Sequence, residues 1–330
     1  MNVRAVAVIA GLSASSCLGA AAPESPSVAS AAKCASVNTP YVGTLCLPAG
    51  PGRHPAIVLF GGSQGGDAMS KTAARFAEHG YVATSVVYFG TEGSPETLVE
   101  VPVEIGGRAV QALAHRADVE AAHLAVMGSS KGGEYALLVA STYPEVKAVV
   151  GYVPSPFSWF GLGERSMPTG CAWSRAGRPL ACVHQDHAAG QAIWAQMQSR
   201  EPVAFRVSYE ASRAVQADAV RAAFFPLERI AGPVLCLAGD DDQMWNSRAQ
   251  CELAMTYLHE HGHPYPDRMI SYPDAGHLFI IADRGPSSAL NSVHDGSFEM
   301  LFGGTPDADA AAAAAVWPEI YAFLNTAFRR

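Results

Sequence analysis

Residues 124–140 read LAVMGSSKGGEYALLVA, and the rest of the chain is organised around them. An apolar run over 124–127 enters Gly128-Ser129-Ser130-Lys131-Gly132, and a run of helix formers leaves it. Strand, sharp turn and helix are the setting in which the serine of a G-x-S-x-G motif is held at an exposed tip. The glycines two before and two after Ser130 are needed there on steric grounds, because strand and helix pass too close for a side chain at either place. Gly133 relaxes the same crowding. Ser130 then stands at the N-terminus of its helix, where free N–H groups and the helix dipole favour developing negative charge. Small-residue turns of this kind also occur without chemistry, so the neighbouring segments decide the matter.

Upstream, AIVLF at 56–60 is a continuous apolar strand, the mark of a parallel sheet covered on both faces. It runs into Gly61-Gly62-Ser63-Gln64-Gly65-Gly66, which lacks both the P-loop Lys-Ser/Thr and the dinucleotide G-x-G-x-x-G spacing. In a layout built on a serine elbow this loop supplies one oxyanion N–H, from Gly62 or Ser63, and Lys131 supplies the other. Helices are expected over 68–79 and 104–115, with strands over 81–88, from near 124 into the elbow, and over 146–153. The alternation predicts an α/β protein with a mostly parallel central sheet flanked by helices.

Residues 152–231 break that rhythm. They hold Pro154, Pro156, Phe157, Trp159, Phe160, Met167, Trp173 and Trp194, with one long helical candidate over 188–198 before Gln216. An aromatic-rich insertion at the serine's end of the sheet is expected to cap the site over a small core of its own. The rhythm returns with a strand at 233–238, a helix at 248–261, a strand at 267–272 and a turn at 273–277. A helical segment follows at 305–328, which Pro318 is expected to break in two.

A serine on such a turn needs a base and an orienting carboxylate, in the chain order Ser, Asp, His. Asp242 lies three residues past the glycine that ends the strand at 233–238, which selects it over Asp240 and Asp241, with Asp241 the next choice. His277 ends Asp274-Ala275-Gly276-His277 behind the following strand; His184 and His187 fall in the insertion, and His259, His261 and His263 gather near a helix end. Ser130 is then the nucleophile, His277 the general base, and Asp242 the group that fixes the tautomer. Lys131 opens its helix, where its charge opposes the dipole. Its side chain is expected to meet an anionic substrate group or else to point into solvent. No cofactor and no metal site is expected, since no C-x-x-C spacing exists.

The 330 residues are 49% hydrophobic and 16% charged, enough for a large core, and their formal charge is −8. That balance argues against a nucleic-acid partner and offers no basic patch for anionic membranes, leaving a small-molecule substrate. Oligomeric state is not legible. Residues 1–22 read as an export signal, with Arg4, an apolar stretch at 5–12 and small residues at 19–22, too short to span a bilayer. A periplasmic or secreted protein is expected; lipidation at Cys17 is less favoured, because Ala14 stands where a larger apolar residue is usual. Residues 23–54 form a lead-in with edge strands, and 55–330 a catalytic domain with its cap at about 154–230. Neighbouring cysteines suggest the pairs Cys34–Cys46, Cys171–Cys182 and Cys236–Cys251, with free buried thiols as the alternative.

Several of these segments together carry a family resemblance. Leu59-Phe60-Gly61-Gly62, Tyr88-Phe89-Gly90, Gly128-Ser129-Ser130-Lys131-Gly132, Phe225-Pro226-Leu227-Glu228-Arg229, Gly239-Asp240-Asp241-Asp242 with Trp245 and Ser247, and Gly276-His277 are the segments concerned. They resemble the C-terminal catalytic domain shared by acyl-CoA thioesterases and bile acid-CoA:amino acid N-acyltransferase. The resemblance implies an α/β-hydrolase fold with Ser130, Asp242 and His277 as the triad. The acyltransferase branch uses a cysteine nucleophile, so Ser130 implies hydrolysis of an acyl ester or thioester rather than transfer to an amine. An exported protein meets little acyl-CoA, which brings an oxygen ester or another thioester forward as substrate. A dienelactone hydrolase-like or general carboxylesterase activity is the alternative enzyme, and a non-catalytic acyl-ligand-binding protein the alternative of another class.

Overall fold

Apolar runs of five or six residues separated by amphipathic helices close into one eight-stranded sheet in the computed structural model, which describes residues 32–280, 291–295 and 298–329. The export signal expected over 1–22 and the lipidation site at Cys17 lie outside the described residues. The strands are β1 (Lys33–Val37), β2 (Val42–Leu47), β3 (His54–Phe60), β4 (Val82–Val87), β5 (Val119–Ser129), β6 (Ala148–Tyr152), β7 (Val234–Gly239) and β8 (Arg268–Tyr272). Their spatial order is β1-β2-β4-β3-β5-β6-β7-β8. The pairs β1–β2 and β2–β4 are antiparallel, and every pair from β4 to β8 is parallel. This is the expected α/β-hydrolase architecture. One boundary differs from expectation: β5 begins at Val119, where His54 of β3 pairs with it, rather than near residue 124.

The described helices are α1 (Ser70–Glu78), α2 (Val103–Ala114), α3 (Lys131–Thr142), α4 (His187–Ser199), α5 (Arg206–Ala214), α6 (Ala217–Ala223), α7 (Ser247–Glu260) and α8 (Pro306–Ala327). Alternation along the strands sorts the core into two layers. Ile57 and Leu59 of β3 join Phe76 of α1 with Val316, Ile320 and Phe323 of α8. Val58 and Phe60 join Val110 of α2, Leu137 of α3 and Leu258 of α7 on the other side. α8 runs unbroken through Pro318, contrary to expectation. Pro318 and Ala314, whose carbonyl loses its helical partner, are both exposed, so the missing bond falls on the solvent side while the apolar face stays packed.

Between β6 and β7 the chain builds the cap. Phe160–Leu162 pairs with Pro168–Cys171, and Trp173–Arg175 pairs with both Arg178–Pro179 and Val101–Pro102. α4, α5 and α6 complete it, and α5 is a helix that the sequence pattern did not announce before Gln216. Phe157, Trp159, Phe160, Val183 and Tyr209 form a separate apolar cluster that also takes in Trp245 from the loop after β7. Disulfides join Cys34 to Cys46 across β1 and β2, and Cys171 to Cys182 within the cap. The third expected pair is not formed: Cys236 on β7 and Cys251 on α7 are free and buried. They sit where helix packs on strand, and burial together with a thiol–thiol hydrogen bond pushes the Cys251 thiol well up. No described helix is long and apolar enough to cross a membrane.

Candidate active site

β5, β7 and β8 end on the same edge of the sheet, so the loops behind them converge at their carboxyl ends, where α/β proteins place ligands. At the end of β5, Ser130 takes φ 55° and ψ −119°, a conformation that a non-glycine residue adopts only under constraint. The constraint is visible on both sides. Ser130 donates its N–H to the Tyr152 carbonyl at 2.9 Å, and its own carbonyl accepts the Glu134 N–H at 3.0 Å. A Cβ at Gly128 would stand 1.8 Å from the Gly132 oxygen, and one at Gly132 would stand 2.0 Å from the Gly61 oxygen. Glycine is therefore obligatory at both places.

The three side chains selected from their order in the chain meet here. His277 Nε2 is 2.9 Å from Ser130 Oγ, and His277 Nδ1 is 2.8 Å from Asp242 Oδ2. Asp242 is fully buried and His277 is 3% exposed. The other carboxylate oxygen of Asp242 accepts the N–H groups of Met244 at 3.0 Å and Trp245 at 3.1 Å, which fixes the carboxylate plane. Asp241, the second choice, turns away and accepts from the Gly304 N–H at 2.8 Å and the Gln243 amide at 2.6 Å. Asp240 pairs with Arg248 at 3.0 Å. An imidazole held this way, with one nitrogen on a buried carboxylate and the other on a hydroxyl, can take a proton from that hydroxyl and remain paired as an imidazolium.

The backbone around His277 is tied from three directions. Its N–H donates to the Phe302 carbonyl at 2.9 Å, and its carbonyl accepts the Tyr152 hydroxyl at 2.5 Å. Gly276 donates its N–H to Asp309 Oδ1 of α8 at 2.8 Å. Burial raises the Asp309 carboxyl above the ordinary range, against the hydrogen bonds it accepts from Gly276 and Asn291. Tyr152 and Asp309 were not singled out from the sequence. A buried tyrosine on a strand and an aspartate near a helix start both have ordinary structural explanations, and no motif marks them.

The loop after β3 comes against the serine. A Cβ at Gly62 would lie 3.5 Å from Ser130 Cβ, and the Tyr88 hydroxyl holds the loop by donating to the Gly61 carbonyl at 2.6 Å. Gly62 is buried, whereas Ser63 is exposed. The Lys131 N–H is the first of α3 and has no intrahelical acceptor.

The Lys131 side chain overturns the expectation stated for it. It neither reaches a substrate group nor points to solvent: it is 2% exposed and forms an ion pair with Glu134 at 3.1 Å. Its ammonium also donates to the Phe160 carbonyl at 3.0 Å. Glu134 accepts the Trp159 N–H at 2.9 Å and the Trp173 indole N–H at 2.6 Å. Burial pushes the Lys131 ammonium down and the Glu134 carboxyl up, each opposed by the attraction of its partner. A charge removed from water must be paired, and the cap folded over α3 leaves Glu134 as that pair. The signal available in the sequence was Glu134 itself, one helical turn past Lys131.

On the cap, a cavity of about 560 Å³ is lined by Phe160, Met167, His184, His187 and Trp194 among others. Among the described residues one group of metal-donor side chains gathers, Cys171, Cys182 and His184 within 4.8 Å, and the disulfide occupies both sulfurs.

The profile of the family described as "BAAT / Acyl-CoA thioester hydrolase C terminal" matches residues 101–330. The chain is 29% identical over 289 residues to acyl-coenzyme A amino acid N-acyltransferase 2 of Rattus norvegicus, covering 86% of this chain and 62% of that protein. It is 27% identical over 294 residues to acyl-coenzyme A thioesterase 6 of Homo sapiens, covering 87% and 62%. The chain thus spans less than two thirds of the length of these relatives. Two solved structures are similar in fold: an α/β hydrolase from Penicillium sp. sh18, with TM-score 0.53, 14% identity and coverage of 91% and 99%, and a dienelactone hydrolase-like promiscuous phosphotriesterase from metagenomic libraries, with TM-score 0.53, 14% identity and coverage of 89% and 99%.

Proposed function

Because the chain belongs to the BAAT / acyl-CoA thioester hydrolase C-terminal family, we propose that it is an exported serine hydrolase that cleaves an acyl thioester or ester through an acyl-enzyme. The observation that carries this reading is the hydrogen-bonded series Ser130–His277–Asp242, at 2.9 and 2.8 Å. In the first half-reaction Ser130 Oγ attacks the acyl carbon as its proton passes to His277 Nε2. The oxyanion is met by the Lys131 N–H and by one from Gly62 or Ser63, and Gly62 is favoured because it is buried and a Cβ there would come within 3.5 Å of Ser130 Cβ, whereas Ser63 is exposed. His277 then returns the proton to the leaving thiol or alcohol, and the serine holds the acyl group. Water, deprotonated by His277, attacks the ester in the second half, releases the acid and restores the hydroxyl. Asp242 keeps the proton on Nδ1 throughout and stabilises the imidazolium.

A fluorophosphonate probe tests the serine directly. The wild type is expected to be labelled and Ser130→Ala is not, with hydrolysis falling by at least roughly 10⁴-fold in that variant. A well-folded wild type that takes no label sinks the enzyme reading and supports an acyl-ligand-binding protein. Matched acyl-CoA and p-nitrophenyl ester substrates separate thioesterase from carboxylesterase. Export is supported by the two disulfides, which fit an oxidising compartment. Mature protein beginning near Ala21 or Ala22 is the expected result of N-terminal sequencing, and an intact Met1 would return acyl-CoA to first place as substrate.

A further inference from the structure

One buried ion pair takes no part in the proton transfers above, yet it adjoins the nucleophile. Lys131 and Glu134 are 2% and 0% exposed, and apart from each other the hydrogen-bond partners of their side chains come from the cap. Trp159 N–H and the Trp173 indole N–H meet one oxygen of Glu134, while Lys131 Nζ meets the other oxygen and the Phe160 carbonyl. An apolar contact would fasten cap to helix equally well, since neutral replacements of buried ion pairs are often no less stable. What the pair adds is direction. The peptide before Ser130 is held by the bond to the Tyr152 carbonyl. The peptide after it, whose N–H belongs to Lys131, turns with a strained ψ of −119°. Its carbonyl, on Ser130, accepts the Glu134 N–H at 3.0 Å and its nitrogen belongs to Lys131, so the plane is held between the two residues whose side chains are anchored in the cap.

We propose that Lys131 and Glu134 are positioning residues: through them the cap, at Trp159, Phe160 and Trp173, fixes the peptide plane that presents the Lys131 N–H to the oxyanion. The inference rests on the serine-hydrolase reading, and it makes the cap a supporting part of the elbow as well as its cover.

The test compares the full-length wild type with Lys131→Met, Glu134→Gln and the double variant, each normalised by fluorophosphonate titration of active serine. The double variant removes both charges and leaves none uncompensated. A positioning role predicts that its kcat falls by about 10- to 100-fold, the range set by a misdirected oxyanion donor, with KM within about twofold. Binding of an acyl trifluoromethyl ketone, which forms a tetrahedral adduct with the serine, weakens in proportion to kcat, and the thermal midpoint stays near that of the wild type. Wild-type kcat with a lowered thermal midpoint would mark the pair as purely structural and overturn the proposal. If the pair variants do not fold, Trp173→Phe removes one donor to Glu134 while keeping an aromatic ring in place. It is expected to lower kcat about threefold or more, by the loss of one hydrogen bond to a charged group, and unchanged kcat overturns the proposal. A wild type that takes no probe overturns the hydrolase reading and the positioning role with it, so the two failures are told apart.

Discussion

Of the twelve residues in α3, eleven are buried, whereas α4, one residue longer, buries Ile193 alone. α3 lies between sheet and cap, and its first turn is crossed by backbone from the loop after β3. α4 is fastened at one end, where Asp186 caps it by accepting the Ala189 N–H at 3.0 Å, and along one side by Ile193. Helices of similar length thus face opposite constraints. The one that carries the proposed nucleophile has no freedom to adjust, and the one on the cap has a great deal.

The largest contrast comes from making the same substitution in each region. Gly128→Ala, at the strand end feeding α3, puts a Cβ 1.8 Å from the Gly132 oxygen and 2.7 Å from the Gly133 nitrogen, all backbone. Urea unfolding should show a loss of about 3 kcal/mol or more, or no folded protein at all. Gly190→Ala, inside α4, meets only the end of the Gln185 side chain at 2.8 Å. It should be neutral or stabilising by up to about 1 kcal/mol, because alanine is the better helix former. Equal effects at the two sites would mean that α3 and α4 are equally constrained.

That distinction also governs how much the sequence could disclose. The parallel strands are legible because two-sided burial demands continuous apolar residues, as in Ala56–Phe60. The strand ends then place Ser130, Asp242 and His277 on one edge. The cap resists the same reading for a physical reason. α5 buries Ser208, Tyr209 and Ser212, while Val207 and Val215 beside it are 66% and 68% exposed. Its inward face is held by hydrogen bonds: Ser208 Oγ accepts from the Gln185 amide at 3.1 Å and Ser212 Oγ from the Asp186 N–H at 2.8 Å. Hydrophobic periodicity cannot find a helix whose buried side is polar. The burial of Lys131 escapes the sequence for a related reason. Whether a lysine at a helix start is exposed depends on what folds over it, and the covering segment lies in the irregular part of the chain.

Where the cap rejoins the sheet, a histidine makes the attachment sensitive to pH. His263 follows α7, and its side chain is shielded from solvent. Nδ1 is 2.6 Å from Asp267 Oδ2 and Nε2 is 2.9 Å from the Ile230 carbonyl, so both nitrogens face acceptors and both hydrogen bonds require the imidazolium. Burial opposes the charge, but the Asp267 and Ile230 hydrogen bonds, with the charges of Asp267 and Glu228, outweigh it and raise the pKa. A raised folded pKa stabilises the protein fully below the unfolded value of about 6.5 and ceases to do so as pH climbs through the folded value. His263→Asn should therefore cost about 1.5 kcal/mol near pH 5.5, the worth of hydrogen bonds to a charged group. The gap from wild type should narrow as pH rises into the alkaline range. A gap that widens with pH would mean that His263 is neutral in the folded protein.

The smallest effect belongs to the open side of α4. Trp194 is 55% exposed and borders the cap cavity, while Ile193 beside it is 6% exposed and faces inward. A half-exposed indole leaves most of its apolar surface in water in either state, so its removal forfeits little of the burial that stabilises folding. Trp194→Ala should shift unfolding free energy by no more than about 0.5 kcal/mol, within the range of ordinary surface substitutions. The ring is part of the wall of that cavity without being part of what holds the helix. A urea midpoint lowered as far as by a core truncation would mean that α4 is packed as firmly as α3, and the contrast between a fixed elbow and a yielding cap would fail.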